Sequence, residues 1–345
     1  MRNNREFEPM DFDMSYTSKE ISLWDRMVFL NISISVNRLN YFKTLTMIFF
    51  LIIFVNQVIG QTEKTSRLFF ISDCQAPLFS EKIVGKTYRN SEATSRLFDD
   101  IGKQLPTNLF ILGDITGAGS QNHLWKPIDE AIQKLRHQNV AVHALLGNHE
   151  YFFNSKKAID NYRVRFPSDA LNGYCIRAGY IGVVMLNSNF DRLSTEEANL
   201  QQKWYMSVMD SLDNDPSIKA VLICTHYSPF TNSKIVCPSR TVQNCFLPRF
   251  FASQKTKLFL SGHSHNLEYF AKDKKHFLVT GGGGGMAQSL YADKKQRFTN
   301  LIDWSEKPIY FYIGVEYKHN SLFLSAFGFQ KDFKKIEKYD IGIIE

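Results

Sequence analysis

The chain of 345 residues contains no internal repeat, no Pro/Gly/Ser-rich linker and no apolar run long enough to span a bilayer. Its longest apolar run, 47–55, has nine residues, whereas a transmembrane helix needs about 20. Charged residues are 22% and hydrophobic residues 44% of the chain. These proportions exclude long disordered or collagen-like stretches and indicate a globular protein with a sizeable core.

The short apolar segment near the N-terminus has the features of a secretory signal peptide. Arg38 and Lys43 precede the apolar core 45–59, and Gly60 stands before a polar stretch. A basic flank, a short apolar core and a small residue are typical of such a peptide. We therefore interpret residues 1–60 as an N-terminal extension that directs export.

The position of this segment leaves two alternatives open, because about forty residues precede the apolar core. Translation begins later, for example at Met27 or Met47, or the segment 45–59 is an uncleaved signal anchor. The prediction is a secreted, periplasmic or otherwise extracytoplasmic protein, whose sole membrane contact would be through 45–59.

The five cysteines agree weakly with an oxidising compartment. Cys237 and Cys245 bracket a short loop and could close a disulfide there. Cys74, Cys175 and Cys224 lie within or beside apolar runs, so we expect them to be small buried side chains.

Positive charge is in excess, with a formal net charge of +7. The whole surplus lies beyond residue 60, where 35 Lys and Arg face 28 Asp and Glu. Such an excess suits an anionic substrate or surface. The basic clusters 272–275 and 294–297 keep a nuclease as an alternative, but such runs are usually solvated surface, so nucleic acid is not the favoured partner.

From about residue 62 onward, short apolar runs alternate with amphipathic stretches. Helices are predicted at 92–105 and 124–137, and a third, which begins at the capping box Ser194–Glu197, extends to about Leu212. Strands are predicted at 67–72, 108–112, 140–146, 181–186, 220–225, 257–260, 277–280, 310–315 and 322–327. This alternation predicts an α/β layered fold with a mixed sheet and a single domain over 62–345.

Polar side chains follow five of the predicted strands. In chain order they are Asp73 and Gln75, Asp114, Asn148 and His149, His226, and His263 and His265. Ligands of open α/β sheets gather beyond the carboxyl ends of the strands, so these tips can converge. Oxygen and imidazole donors in this mixture suit one or two divalent transition ions rather than a structural thiolate site.

The motifs Asp73–Gln75, Gly113-Asp114, Gly147–Glu150, His226 and Gly262–His265 resemble those of the calcineurin-like metallophosphoesterase family. The family pattern reads D-x-H, G-D, G-N-H-D/E, a strand-tip His and G-H-x-H. The resemblance implies a four-layer α/β/β/α sandwich of two mixed sheets flanked by helices, over residues 62–345. The glycine run 281–285 is similar to a loop near the site in that family.

The resemblance also implies the site and its chemistry. Asp114 would bridge two metal ions, with Asp73, Gln75 and His265 on the first and Asn148, His226 and His263 on the second. The ions would be divalent or trivalent Fe, Mn or Zn. Hydroxide held between them would attack the phosphorus of a small phosphate ester, with no other cofactor. His149 would assist the leaving group, and Glu150 could orient His149.

Two departures from the family pattern matter. Gln75 replaces the usual histidine, and its amide oxygen is a weaker ligand than imidazole. Gly117 stands where purple acid phosphatases place a tyrosine ligand, so a typical member of that branch is disfavoured. A thiolate role for Cys74, beside Asp73, is less favoured than simple burial.

The alternative function is a catalytically weak scaffold of the same fold that binds a protein partner. Such scaffolds tend to lose the histidine that faces the phosphate, and His149 is present here. The completeness of the motif set therefore favours a metal-dependent phosphoric ester hydrolase, acting as a phosphatase or a phosphodiesterase.

Overall fold

The computed structural model describes Met47 and residues 66–76, 89–302 and 307–345. All of these except Met47 belong to one compact unit, Lys64–Glu345. The predicted signal segment 45–59, Met47 apart, and the domain boundary near residue 62 lie outside the described residues and stay predictions. A search of the described helices finds none with the length and apolarity that crossing a membrane requires.

Strands and helices alternate along the described chain, and their bounds are as follows. The strands are β1 (Arg67–Ile71), β2 (Asn108–Leu112), β3 (Ala141–Leu145), β4 (Tyr174–Ala178), β5 (Ile181–Met185), β6 (Ala220–Thr225), β7 (Thr256–Ser261), β8 (Leu267–Lys272), β9 (Lys275–Thr280), β10 (Tyr310–Lys318), β11 (Ser321–Phe329) and β12 (Glu337–Ile344). The helices are α1 (Asn90–Gln104), α2 (Asn122–His137), α3 (Ser155–Arg165), α4 (Thr195–Asn214) and α5 (Arg240–Ala252).

The strands form two mixed sheets. The first sheet has the order β12-β11-β10-β1-β2-β3, with β1, β2 and β3 parallel and the remaining neighbours antiparallel. The second has the order β4-β5-β6-β7-β9-β8, in which β5, β6, β7 and β9 are parallel and the two edge strands are antiparallel. The carboxyl ends of the parallel strands hold the polar residues singled out above.

Alternation of side chains along each strand produces the layers. Leu68 and Phe70 of β1 enter the core between the two sheets, whereas Phe69 and Ile71 face the helices. The outer face of the first sheet packs on α1, α2 and α3, and that of the second packs on α4 and α5. The fold is therefore α/β/β/α, as the resemblance implied.

The predicted elements lie close to the observed ones, and the differences have local causes. The capping box of α4 is present, because Ser194 accepts from the Glu197 backbone while the Glu197 carboxylate accepts from the Ser194 backbone. The unpredicted elements are α3, α5, β4, β8 and β12. Of these, β4, β8 and β12 are edge strands, where apolar alternation is weak.

The suggested disulfide between Cys237 and Cys245 is wrong, since all five cysteines are free thiols in the structure. Cys245 lies within α5 and packs against the core beneath that helix, while Cys237 is exposed. The two thiols therefore occupy different environments. Cys74 and Cys224 are buried as expected, and Cys175 is half-buried.

We expect the Leu222→Ala substitution to lower the free energy of unfolding by about 2–5 kcal/mol, because it opens a cavity between the sheets. Leu222 lies in the middle of β6 and is 0% exposed. Urea unfolding measures the loss. The matched control Leu200→Ala, on the exposed side of α4, should stay within about 0.5 kcal/mol of the wild type. Equal losses in both variants would contradict this layering.

Candidate metal centre

Both sheets contribute residues to one polar cluster beyond their strand ends. Asp73 and Asp114 follow β1 and β2, and both carboxylates are buried, at 0% and 1% exposure. His226 follows β6 directly and is also 0% exposed. The predicted donors from the first and second sheets therefore meet in the interior.

Two groups of ligand atoms share one residue. The potential ligand atoms of Asp114, His226 and His263 lie within 4.8 Å of one another, and so do those of Asp73, Asp114 and His265. Asp114 belongs to both groups. A carboxylate common to two such groups has the placement that a bridging ligand between two ions requires.

The two amide side chains complete these groups, one in each. Asn148 Oδ1 lies 3.0 Å from His226 Nε2. Gln75 Nε2 lies 3.2 Å from His265 Nε2 and 3.5 Å from Asp114 Oδ2. Every residue predicted as a metal ligand is thus brought into the cluster, and the ligand roles remain predictions.

The surroundings of Gln75 fit a cation. The side chain is 2% exposed, yet its Oε1 is buried without a hydrogen-bond partner. Meanwhile its Nε2 faces His265 Nε2 and Asp114 Oδ2, which are predicted ligand atoms. Turning the amide by half a revolution would direct the unpartnered oxygen to the same point, where it could bind a cation.

Backbone carbonyls fix the orientation of three histidines. The Nδ1 atoms of His226 and His265 donate to the carbonyls of Leu112 at 2.9 Å and Met286 at 2.8 Å. Their Nε2 lone pairs are therefore directed into the cluster. His149 Nδ1 contacts the carbonyl oxygen of Gly117 at 3.1 Å in the same manner.

Three site residues adopt left-handed backbone conformations. The φ angles are 60° at Asp73, 50° at Asp114 and 65° at His263. Residues other than glycine rarely adopt this region, and such strain persists where the surrounding structure determines it strongly. Each residue turns the chain sharply just after its strand, which directs its side chain into the cluster.

Close packing of the connecting loops explains two of the glycines in the motifs. A Cβ atom at Gly147 would lie 2.2 Å from Asp114 Oδ1, and one at Gly262 would lie 2.0 Å from Ser72 Oγ.

The glycine run 281–285 is held in place by backbone hydrogen bonds. Gly283 and Gly285 donate their N–H groups to the carbonyls of Ser72, at 2.8 Å, and Asp73, at 2.7 Å.

Glu150 does not orient His149, and the sequence-based suggestion that it could is wrong. Its carboxylate is 0% exposed and accepts hydrogen bonds from four backbone N–H groups. These belong to Asp114 (2.9 Å), Ile115 (2.8 Å), Thr116 (3.2 Å) and Gly147 (2.7 Å). Glu150 therefore joins the loops after β2 and β3 and fixes the backbone of Asp114. The orienting partner of His149 is the Gly117 carbonyl.

Charge interactions are strong in this buried cluster. Burial by itself raises the pKa of the Asp114 carboxyl, but the charges of His226 and His149 outweigh it and hold that pKa well below its usual range. Burial opposes charging of His226, but the Asp114 carboxylate raises the pKa of His226 to about 9. Burial, followed by the charge of His226, lowers the pKa of His263 to about 3. A dication would compete with the proton on His226.

Cys74 remains a thiol. Burial, and next the negative charge of Asp73, raise its pKa well above the usual value. Because the thiolate is the form that binds metal, this agrees with a packing role for Cys74.

The family model described as calcineurin-like phosphoesterase matches residues 66–267, which is more than half of the chain and includes the motifs from Asp73 to His265. The chain belongs to this family. No curated protein matches the sequence. Membership accounts for the shared placement of acidic and histidine residues at the strand ends of both sheets.

Solved structures show the same fold at low sequence identity. The Plasmodium protein GAP50, described as the anchor in the inner membrane complex, has a TM-score of 0.60 at 13% identity and covers 81% of this chain and 90% of its own. A dimetal phosphatase from Danio rerio has a TM-score of 0.55 at 15% identity, with coverages of 80% and 99%.

A purple acid phosphatase from yellow lupin (Lupinus luteus) seeds has a TM-score of 0.58 at 13% identity. It covers 80% of this chain, but the match spans only 53% of the lupin chain. The chain thus corresponds to about half of that enzyme. At these identities the three structures establish the fold alone.

The Glu150→Gln substitution should lower the free energy of unfolding by about 1–3 kcal/mol, because an amide cannot accept all four backbone hydrogen bonds. Chemical denaturation measures this change. The control Glu130→Gln, on the exposed face of α2, should remain within about 0.5 kcal/mol of the wild type. An unchanged Glu150→Gln protein would show that the carboxylate does not join the two loops.

If Gln75 is a ligand, the metal content of dialysed protein should fall in Gln75→Ala and be kept or raised in Gln75→His, since imidazole binds transition ions more strongly. Elemental analysis of both variants, the wild type and the exposed control Gln133→Ala measures the content. Equal content in all four proteins would show that Gln75 binds no metal.

Proposed function

We propose that the protein hydrolyses small phosphate esters at a centre of two metal ions. Asp73, Gln75, Asp114 and His265 would hold one ion, and Asp114, Asn148, His226 and His263 the other. The observation that carries the proposal is that Asp114 belongs to both groups of ligand atoms. Mixed oxygen and imidazole donors agree with Fe, Mn or Zn.

When bound, a pair of such ions lowers the pKa of a shared water and neutralises phosphoryl oxygens. The protein provides the matching charges. Asp114 supplies a buried negative charge between the two positions, where two dications need balancing. Asn148 is neutral, and a carboxylate in its place would weaken the electrophilic character of its ion. This division of charge supports ester hydrolysis over simple ion storage.

His149 has the placement of a proton donor to the leaving group. Its Nδ1 is held by Gly117, so Nε2 is directed to the centre, 3.8 Å from Asp114 Oδ2. The ring also packs against Phe152, with 4.5 Å between ring centroids. Held in this way, His149 can carry a proton at Nε2 and give it to the departing oxygen.

Gly117 contributes only its backbone to the site, which supports a metal centre different from that of purple acid phosphatases. This residue has no side chain that could bind a metal, and its carbonyl orients His149. The tyrosine ligand that the resemblance leads us to expect at this position in purple acid phosphatases therefore has no counterpart here. The predicted substrate is a small phosphorylated molecule, and export through the N-terminal segment would place the reaction outside the cytoplasm.

His149→Ala should reduce phosphate ester hydrolysis by about 10²-fold or more, because general acid catalysis contributes 10²–10⁴-fold, while the metal content stays unchanged. A panel of aryl phosphomonoesters, phosphodiesters and nucleotides, tested with metal-loaded full-length protein, measures the loss. The control is His137→Ala, an exposed position at the end of α2, which should retain wild-type turnover.

Unchanged hydrolysis in His149→Ala would remove the assignment of His149. If the metal-loaded wild type hydrolyses no ester of the panel, the scaffold alternative is favoured instead. In that case the metal centre would serve to shape a surface for a protein partner.

A further inference from the structure

Glu268 is a buried carboxylate for which the proposed reaction has no use. It lies on β8, three residues after His265, and is 0% exposed. Its oxygens accept hydrogen bonds from Thr231 Oγ1 at 2.6 Å and from the backbone N–H of Asn232 at 2.8 Å. A longer bond comes from Ser264 Oγ at 3.3 Å.

The donors belong to two separate segments that carry predicted ligands. Thr231 and Asn232 lie in the loop that begins at His226, after β6. Ser264 lies between the two histidines of the turn after β7. Thr231 Oγ1 also contacts Ser264 Oγ directly, at 3.1 Å. One carboxylate therefore bonds both segments at once.

Two further contact paths join the same two segments. The Gly262 N–H donates to the carbonyl of His226 at 3.0 Å. Ser233 Oγ donates to Gln288 Oε1 at 2.6 Å, and Gln288 Nε2 donates to the carbonyl of His263 at 3.4 Å. This path is longer and runs through a side chain from a third segment. Glu268 joins the later part of the loop, at Thr231 and Asn232, to Ser264 in the turn.

We propose that Glu268 is a positioning residue of the metal centre, which holds the loop after His226 against the turn that carries His263 and His265. The proposal rests on the metal centre described under the proposed function. Outer partners of metal ligands typically change metal affinity by about 10–100-fold when they are removed. Glu268 would change the metal affinity in this way, without touching the ion or the substrate.

The two simplest substitutions have different expected effects. In Glu268→Ala the Thr231 hydroxyl and the Asn232 N–H lose this acceptor, so the part of the loop around Thr231 is held less firmly to the turn. The Gly262–His226 backbone bond, the Thr231–Ser264 contact and the path through Gln288 remain. In Glu268→Gln the amide oxygen can still accept from Asn232. Its NH₂ group can donate to the hydroxyls of Thr231 and Ser264, because a hydroxyl accepts as well as donates.

Asp169 offers a matched control for the loss of a buried carboxylate. It is 7% exposed, accepts from the backbone N–H of Ala144 at 2.8 Å, and contacts His143. These partners lie on β3, and none of them is a predicted ligand. Asp169→Ala therefore removes comparable hydrogen bonds without altering either segment that Glu268 joins.

The experiment titrates full-length apoprotein with Zn²⁺ by calorimetry, at a temperature where each variant is folded by circular dichroism. We expect Glu268→Ala to bind zinc at least about tenfold more weakly than the wild type, and Glu268→Gln to bind within about threefold of it. Asp169→Ala should lose thermal stability and keep wild-type zinc affinity. If Glu268→Ala does not fold, Thr231→Val, which removes the shortest bond, should also weaken zinc binding.

Wild-type zinc affinity in Glu268→Ala, or an equal weakening in Asp169→Ala, would overturn the positioning role. If Glu268→Ala is unfolded, unchanged affinity in Thr231→Val would overturn it. A wild-type protein that binds no zinc, manganese or iron would instead overturn the metal centre itself. The two failures are therefore distinguishable.

Discussion

The site depends on a negative charge placed in the interior of the protein. Asp114 has 1% exposure and stands between two groups of imidazole and oxygen donors. An unpaired carboxylate at such a position would be expensive, because burial disfavours the charged form. The histidine charges hold its pKa low, and the same requirement for positive charge is what makes the position suitable for metal ions. Three features keep this carboxylate in place. They are the left-handed backbone of Asp114, the close packing of Gly147 against it, and the hydrogen bond from its backbone N–H to Glu150.

Much of the fold could be predicted from the sequence, because the central strands are fully buried and read as continuous apolar runs. β2 and β6 lie at the predicted bounds, since polar residues or turns end them abruptly. The N-terminal cap of α4 could be predicted from Ser194 and Glu197, because a capping box involves residues only three positions apart in the chain. The edge strand β12 was not predicted, since Glu337, Lys338 and Asp340 interrupt its first half and Ile344 alone among its residues is buried.

The gathering of the predicted ligands could also be anticipated, because parallel strands bring their carboxyl ends to one edge. What the sequence could not show was which polar residues support the ligands. Glu150 is adjacent to His149 in the chain, yet it bonds the backbone of Asp114. Glu268 lies outside the motifs considered, and its partners Thr231 and Asn232 are 37 and 36 residues away along the chain. Such contacts depend on the docking of loops, and no local pattern signals them.

The two sheets contribute donors from distant parts of the chain, with Asp73 and His263 separated by 190 residues. The site is thus complete only when both halves of the sandwich are assembled in register. An ion that binds this assembled form, and not the separated halves, would add its binding free energy to the cohesion of the whole domain. Metal supply would then govern how long the folded protein resists heat and proteolysis, apart from any reaction that it carries out.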